Sequence, residues 1–140
     1  EGSEVALVKN NFAKLERFFN GMGQPPAIWF NEEVRAKYHA CWSLGLTGSV
    51  NYYRASPLHP PTAAHAGPRG LMLNPEDFHI RVPTRVIWGE RDIALPKTLL
   101  NGLDALVDDL EIQRIAEGSH WVVHEQPGRI NQILHDFLSR

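Results

Sequence analysis

Cys41 is the only cysteine in the chain, so no internal disulfide can form. That usage fits a reducing compartment, and a cytoplasmic location is the expectation. No apolar run approaches the ~20 residues that span a bilayer as a helix. The opening Glu1-Gly2-Ser3-Glu4 has neither the basic nor the apolar region of a secretion signal. No excess of one charge stands out: 14 Lys and Arg against 16 Asp and Glu leave a net −2. No basic patch is visible, which removes the electrostatic case for nucleic acid or an anionic membrane surface as partner. There is no initiator methionine, and an amphipathic helix starts almost at once, the way an excised segment begins. Internal repeats and low-complexity tracts are absent as well.

What is present reads as a folded chain: 43% of the 140 residues are hydrophobic and 21% charged, a balance that excludes disorder. Val5, Val8, Phe12, Leu15 and Phe19 recur at spacings of three and four, which predicts one helix over 3–22. Ser3 is its expected N-cap and Gly21 and Gly23 its stop. A loop with Pro25-Pro26 follows. Asn31 caps a second helix over 32–44, with Glu32 and Glu33 in the first turn, where the helix dipole favours them. Val34, Tyr38, Cys41 and Trp42 share its apolar face, which makes Cys41 a buried structural thiol. Gly45 ends it, and Thr47 or Ser49 opens a short third helix through Tyr52-Tyr53-Arg54.

Residues 55–82 hold Pro57, Pro60, Pro61, Pro68 and Pro75. Prolines at this density exclude a long helix or a central strand and point to a surface connection. Beyond it the pattern changes. Val82 to Gly89 is a short, β-branched run closed by glycine, the signature of a buried parallel strand. Residues 96–107 predict a helix with Pro96 in its first turn and Leu99, Leu100, Leu103 and Leu106 on a face. Leu110 to Ile115 alternates as a strand, and Pro127 opens a last helix with Ile130, Ile133, Leu134, Phe137 and Leu138. The expected fold class is therefore α/β: a helical segment and linker over 1–81, then β-α-β-α over 82–140. Two parallel strands leave both sheet edges open, so this unit is expected to complete a larger sheet.

Two strand ends carry ionisable residues. Asp92 follows the first strand in Trp88-Gly89-Glu90-Arg91-Asp92. His120 follows the second in Gly118-Ser119-His120-Trp121. Catalysis in parallel sheets gathers outside the carboxyl ends of the strands, and neighbouring strands lie only ~4.8 Å apart. A carboxylate that accepts the Nδ1 proton of an imidazole fixes its tautomer and stabilises the imidazolium. Read singly, Asp92 is a turn or helix-cap residue, Glu90 a solvated turn residue, and His120 an ordinary histidine of a Gly-Ser turn. Read together, in the order acid then histidine, Asp92 and His120 form an acid–base couple. His120 and His124 are four apart, as in a helical zinc site, but no Glu follows His120 and no third ligand is evident, so no metal is expected. His39, His59, His65, His79 and His135 show no partner spacing and are expected at the surface or in loops.

These segments resemble a known family. Val82 to Asp92 resembles the penultimate-strand motif of the α/β-hydrolases. Gly118-Ser119-His120-Trp121, followed by Pro127 and an apolar helix, resembles their catalytic-histidine segment. Asn51-Tyr52-Tyr53-Arg54-Ala55 resembles the cap motif of epoxide hydrolases and their dehalogenase relatives. The resemblance implies a partial α/β-hydrolase fold, with cap helices before residue 55 and the last two core strands after residue 82. It implies that Asp92 orients the histidine and His120 activates water against an ester intermediate. It implies that Tyr53, with Tyr52 beside it, donates a hydrogen bond to the epoxide oxygen, a role that suits a phenol because it keeps its proton at neutral pH. Trp121 is the further residue expected to touch substrate. No cofactor is implied.

One departure is large. No Gly-x-Ser-x-Gly or Gly-x-Asp-x-Gly elbow and no His-Gly oxyanion loop occurs in the chain. The resemblance then implies a small-molecule hydrolase whose nucleophile lies in a missing N-terminal half, and a chain inactive without that partner. An Asp nucleophile would make it an epoxide hydrolase or a haloalkanoate dehalogenase, and a Ser a carboxylester hydrolase. A non-catalytic binding module of the same fold is the alternative from another class. Open strand edges also make self-association an expectation.

Overall fold

The structure is a computed structural model that describes residues 2–23, 27–56, 60–63 and 67–140. The Pro25-Pro26 loop, Pro57, His59 and His65 lie outside these. Three helices come first: α1 (Ser3–Gly21), α2 (Glu32–Ser43) and α3 (Thr47–Ala55). Strand β1 (Thr84–Gly89), strand β2 (Leu110–Ile115), a single turn of helix α4 (Val122–Glu125) and helix α5 (Pro127–Leu138) complete the chain. Among the described residues, β1 and β2 form one two-stranded parallel sheet, from Thr84 opposite Leu110 to Gly89 opposite Ile115.

Helix α1 departs from the single straight helix that its spacing predicts. Lys9 to Phe12 leave helical geometry, and Asn10 and Asn11 take left-handed conformations with φ of 53° and 52°. Asparagine tolerates that region because its short side chain can hydrogen-bond locally. Phe12 follows at φ 62° and is held there by burial against His39 and Trp42, at ring separations of 5.1 and 5.5 Å. The kink turns the first half of the helix, so Val5 and Val8 are exposed while Phe12 and Phe19 are buried. The N-cap is Gly2 rather than Ser3, without a side-chain bond. Asn31 does cap α2, accepting from the Val34 amide at 3.0 Å.

On α2 the inward face runs through Tyr38, His39 and Trp42, and Cys41 is exposed rather than buried. The face is centred between positions 38 and 39, one step round the helix from where the apolar residues alone would put it. Glu16 of α1 partners the inward histidine. Its carboxylate meets His39 Nε2 at 2.6 Å, which lets a histidine take the inward place that Cys41 was expected to fill. His39 is thus a half-buried joint between α1 and α2, and not a surface residue. His79 likewise has a partner, Asp108, at 2.7 Å.

The expected helix over 96–107 is replaced by two short 3₁₀ turns, Lys97–Leu100 and Leu103–Ala105. Asn101 is extended and Gly102 left-handed, at φ 78°, so the chain changes direction between the leucines. Leu100 is buried and Leu99 exposed. Strand β1 starts at Thr84, two residues after its expected start, because Pro83 has no amide to donate to the ladder. Parallel pairing nevertheless resumes upstream as an isolated bridge between Ile80 and Val107. The 55–82 connection is therefore tied back to the sheet at its end.

The α5 face covers the sheet. Ile115, Val122 and Ile130 form a buried cluster with Ile87 and Ile133 against it. Ile115 is fully buried, and such a side chain contributes about 1.5–3 kcal/mol relative to exposure. Arg85 Nη1 donates to the Ile133 carbonyl at 2.7 Å, its Nε donates to Glu111 at 3.0 Å, and its guanidinium lies over Phe137. One side chain so ties β1, β2 and α5 together.

Gly89 sets the spacing of the two strand ends. A Cβ on Gly89 would come within 2.4 Å of the Ser119 carbonyl and 2.5 Å of the Gly118 carbonyl. Both are backbone atoms of the turn that carries His120, so nothing flexible can give way. Gly89→Ala is expected to destabilise the fold by about 3 kcal/mol. Denaturant unfolding of the variant checks this, and an unchanged midpoint would remove the close approach as the reason for glycine here.

Candidate active site

The two strand ends are stitched by their backbones before any side chain meets. Glu90 donates its amide to the Ile115 carbonyl at 2.9 Å, and Arg91 donates to the Gly118 carbonyl at 2.9 Å. Gly89 and Gly118 pack close enough that a Cβ on Gly118 would lie 3.2 Å from the Gly89 Cα. The turn after β1 therefore rests on the turn after β2. Asp92 and His120 face each other, with His120 Nδ1 and Asp92 Oδ2 3.0 Å apart. The expected couple, 28 residues apart in sequence, is formed.

Asp92 is held from both sides. Its Oδ1 accepts from the Ala94 amide at 2.8 Å and the Leu95 amide at 2.9 Å. Only 9% of its side chain is exposed. Burial pushes the carboxyl pKa up, but the Leu95 amide, His120 and the Ala94 amide together outweigh it and hold the group below the usual carboxylate range. An ionised carboxylate only accepts hydrogen bonds, so Nδ1 of His120 is the donor, and in the neutral ring Nε2 then carries the lone pair. That is the tautomer of a general base. Glu90, the other acid of the turn, points elsewhere and pairs with Arg114 at 2.6 Å.

His120 opens on a cavity of about 620 Å³. Leu7, Leu15, Phe18, Met22, Leu46 and Val50 supply apolar wall from α1 and the start of α3. Trp121 and Tyr53 border it too. Tyr53 is 75% exposed. Tyr52 stands outside the lining, edge-on to Tyr53 at 5.5 Å. Among the described residues no Lys, Arg, Asp or Glu borders this space. A bidentate pair from Arg54 to Glu4, at 2.6 and 2.8 Å, ties α3 to the start of α1 next to Tyr53.

An aromatic seam joins the helical part to the histidine turn. Phe19 lies 4.6 Å from Trp121, 4.6 Å from Tyr38 and 5.7 Å from Trp42. His124 stacks on Trp29 at 4.3 Å, and its Nε2 meets the Tyr38 hydroxyl at 3.1 Å. His124 is thus engaged with Trp29 and Tyr38. Burial raises the Tyr38 pKa, with a smaller push from Cys41, so this phenol is a firm donor at neutral pH. Among the described residues no group of three or more His, Cys, Asp or Glu side chains is placed to hold a metal ion. None of the helices described is long and apolar enough to cross a membrane.

The residue pattern missed two members of this site. Ser119 is 2% exposed, and its hydroxyl donates to Glu125. Neither residue has a spacing that sequence rules single out, because they stand six positions apart and a capping box sets its partners three apart.

No family model matches the chain. Similar proteins are known nonetheless. The AB hydrolase superfamily protein YfhM of Bacillus subtilis is 28% identical over 137 residues, covering 96% of this chain and 43% of that protein. Epoxide hydrolase 2 of Caenorhabditis elegans is 28% identical over 140 residues, covering 97% of this chain and 36% of that protein. Among solved structures, a mutant of an epoxide hydrolase from Bacillus megaterium superposes with a TM-score of 0.78 at 24% identity, over 98% of this chain and 47% of that one. The same enzyme in complex with an inhibitor gives 0.74 at 24% identity, over 99% and 49%. The chain thus spans less than half the length of these relatives.

Proposed function

Since the chain carries the fold of the C-terminal part of an epoxide-hydrolase-like α/β-hydrolase, we propose that it supplies the acid, the base and the hydrogen-bond donor of an enzyme that hydrolyses epoxides to diols. The observation that carries this is the 3.0 Å contact of Asp92 with His120, opening on an apolar cavity that Tyr53 also borders. The nucleophile is a carboxylate outside this chain, in an N-terminal partner half. The exposure of Ile93, Leu95 and Leu99 next to Asp92 supports such a partner, since apolar side chains clustered beside a site mark a surface that another element covers.

In this reading the carboxylate attacks a ring carbon, the C–O bond breaks, and the Tyr53 phenol gives its proton to the developing alkoxide. The product of this step is a hydroxyalkyl ester. His120 Nε2 then takes a proton from water, whose oxygen attacks the ester carbonyl. Asp92 stabilises the imidazolium that forms. As the tetrahedral adduct collapses, the imidazolium gives its proton to the departing alkoxide and the diol leaves. The proton of the released carboxylic acid returns to the Tyr53 phenolate, restoring the carboxylate. Trp121 and the apolar wall bind the body of the substrate. Before residue 55 the helices act as the cap, and residues 82–140 belong to the core.

The part of the lining that this chain supplies is uncharged among the described residues, which suits the apolar body of a neutral epoxide. The test is to assay the complete protein on styrene-type epoxides, haloacetates and nitrophenyl esters, with Tyr53→Phe alongside. Diol formation from the epoxide is expected, reduced roughly 10- to 100-fold by the loss of one donor. Turnover of haloacetate or ester alone, with no effect of Tyr53→Phe, would overturn the assignment.

A further inference from the structure

Glu125 lies outside the acid–base couple, yet the histidine turn is built around its carboxylate. Its Oε2 accepts the Ser119 amide at 2.9 Å. Its Oε1 accepts the Ser119 hydroxyl. The same hydroxyl oxygen accepts the Trp121 amide at 3.1 Å. The residues immediately before and after His120 are thus both fastened to one acid, directly or through Ser119. Glu125 is itself held by α4, where its amide donates to the Trp121 carbonyl at 3.0 Å. The end of α1 closes over the group: a Cβ on Gly23 would lie 3.3 Å from Glu125 Oε1, 3.3 Å from Ser119 Oγ and 3.0 Å from Trp121 Cδ1. Ser119 is 2% exposed, so water is a poor substitute for these bonds. A buried group that loses its partner forces the chain to rearrange.

We propose that Glu125 is a positioning residue for His120: its carboxylate, through Ser119, sets the backbone of the histidine turn so that Nδ1 faces Asp92. The inference rests on the reading of His120 as general base. Length matters more than charge in this role. A glutamine has the same reach: its amide oxygen can accept the Ser119 amide while its NH₂ donates to Ser119 Oγ, so the link is kept with one bond reversed and the Ser119 hydroxyl proton turned away from it. An aspartate keeps the charge but is one methylene too short to reach both. Without the clamp Ser119 to Trp121 can shift locally, although Gly118 stays bonded to Arg91, and a shift that carries the ring away from Asp92 costs the imidazole the acceptor that selects its Nδ1–H form.

The readout is the tautomer of neutral His120, taken from its ring ¹⁵N shifts in the complete protein, with His120→Gln to assign the signals. Wild type and Glu125→Gln are expected to hold about nine-tenths of the Nδ1–H form, and Glu125→Asp about half or less. A purely structural acid would lower the melting temperature of both variants and leave the tautomer of the folded protein alone. An unchanged tautomer in Glu125→Asp overturns the proposal, as does a Glu125→Gln that behaves like Glu125→Asp. Asp92→Asn separates this from failure of the couple itself. If Asp92→Asn leaves the tautomer unchanged, His120 is not oriented by Asp92 and both readings fall. If Asp92→Asn shifts it and Glu125→Asp does not, only the role of Glu125 falls.

Discussion

If the complete protein runs the proposed epoxide hydrolysis, replacing His120 by glutamine is expected to trap it as its ester. Ring opening needs the nucleophile and the Tyr53 donor, and neither depends on His120. Hydrolysis of the ester needs a base for water, and glutamine has none. Steady-state turnover should fall by roughly 10⁴-fold, while one equivalent of epoxide is still consumed. Intact-protein mass spectrometry should then show the chain that carries the nucleophile heavier by the mass of one substrate. Glutamine is the instructive choice because its amide can still donate to Asp92, which is only 9% exposed and would otherwise be left buried without its partner. A folded variant that turns over normally, or that consumes no epoxide at all, would remove His120 from the role of base.

Asp92→Asn should be almost as damaging, for a different reason. The asparagine oxygen can still accept from the Ala94 and Leu95 amides that hold the aspartate, so the turn keeps its shape. Its NH₂, however, donates to His120 Nδ1 where the carboxylate accepted. The imidazole then carries its proton on Nε2, the position from which the base must act. A loss of about 10⁴-fold in turnover is the expected result.

The same substitution has a pH signature. The Asp92 carboxyl is held below its ordinary range in the folded protein, burial being outweighed by the Leu95 amide, His120 and the Ala94 amide. Its ionised form therefore favours the native state. That contribution is complete above the unfolded-state pKa of about 3.9 and is lost as the pH falls through the lower folded value. Wild type should melt higher than Asp92→Asn at neutral pH, by the equivalent of about 1–3 kcal/mol. The gap should close as the pH is taken below about 4. A gap that stays constant across this range would mean that the carboxylate charge does not stabilise the fold.

The legible part of the site was the part written in short segments. Strand β2 was expected at Leu110 to Ile115 and is found there, because alternation over six residues depends on little beyond the strand itself. Asp92 and His120 stood out because each closes a strand, and parallel pairing brings strand ends together whatever the intervening chain does. The segment between them was misread. Leu99, Leu100, Leu103 and Leu106 have helical spacing, but Asn101-Gly102 turns the chain between them, and two separate turns result. The four-residue helix Val122–Glu125 was not anticipated, being too short for any periodicity to mark.

Cys41 and His39 show where local pattern loses to contact. By hydrophobicity the cysteine belonged inside and the histidine outside; the structure has them the other way, with Glu16 as the histidine's partner. Ser119 and Glu125 show the same from the side of the site, since their value comes from a bond that five intervening residues conceal. The sequence by itself determined the α/β order, the strand ends and the two groups that close them, because those follow from periodicity and from the geometry of neighbouring parallel strands. Tertiary structure alone decided which polar side chains are buried and which acid fastens the histidine turn. Hydrogen bonds are directional and short, so their partners are chosen by the packing of distant segments and leave no period in the chain.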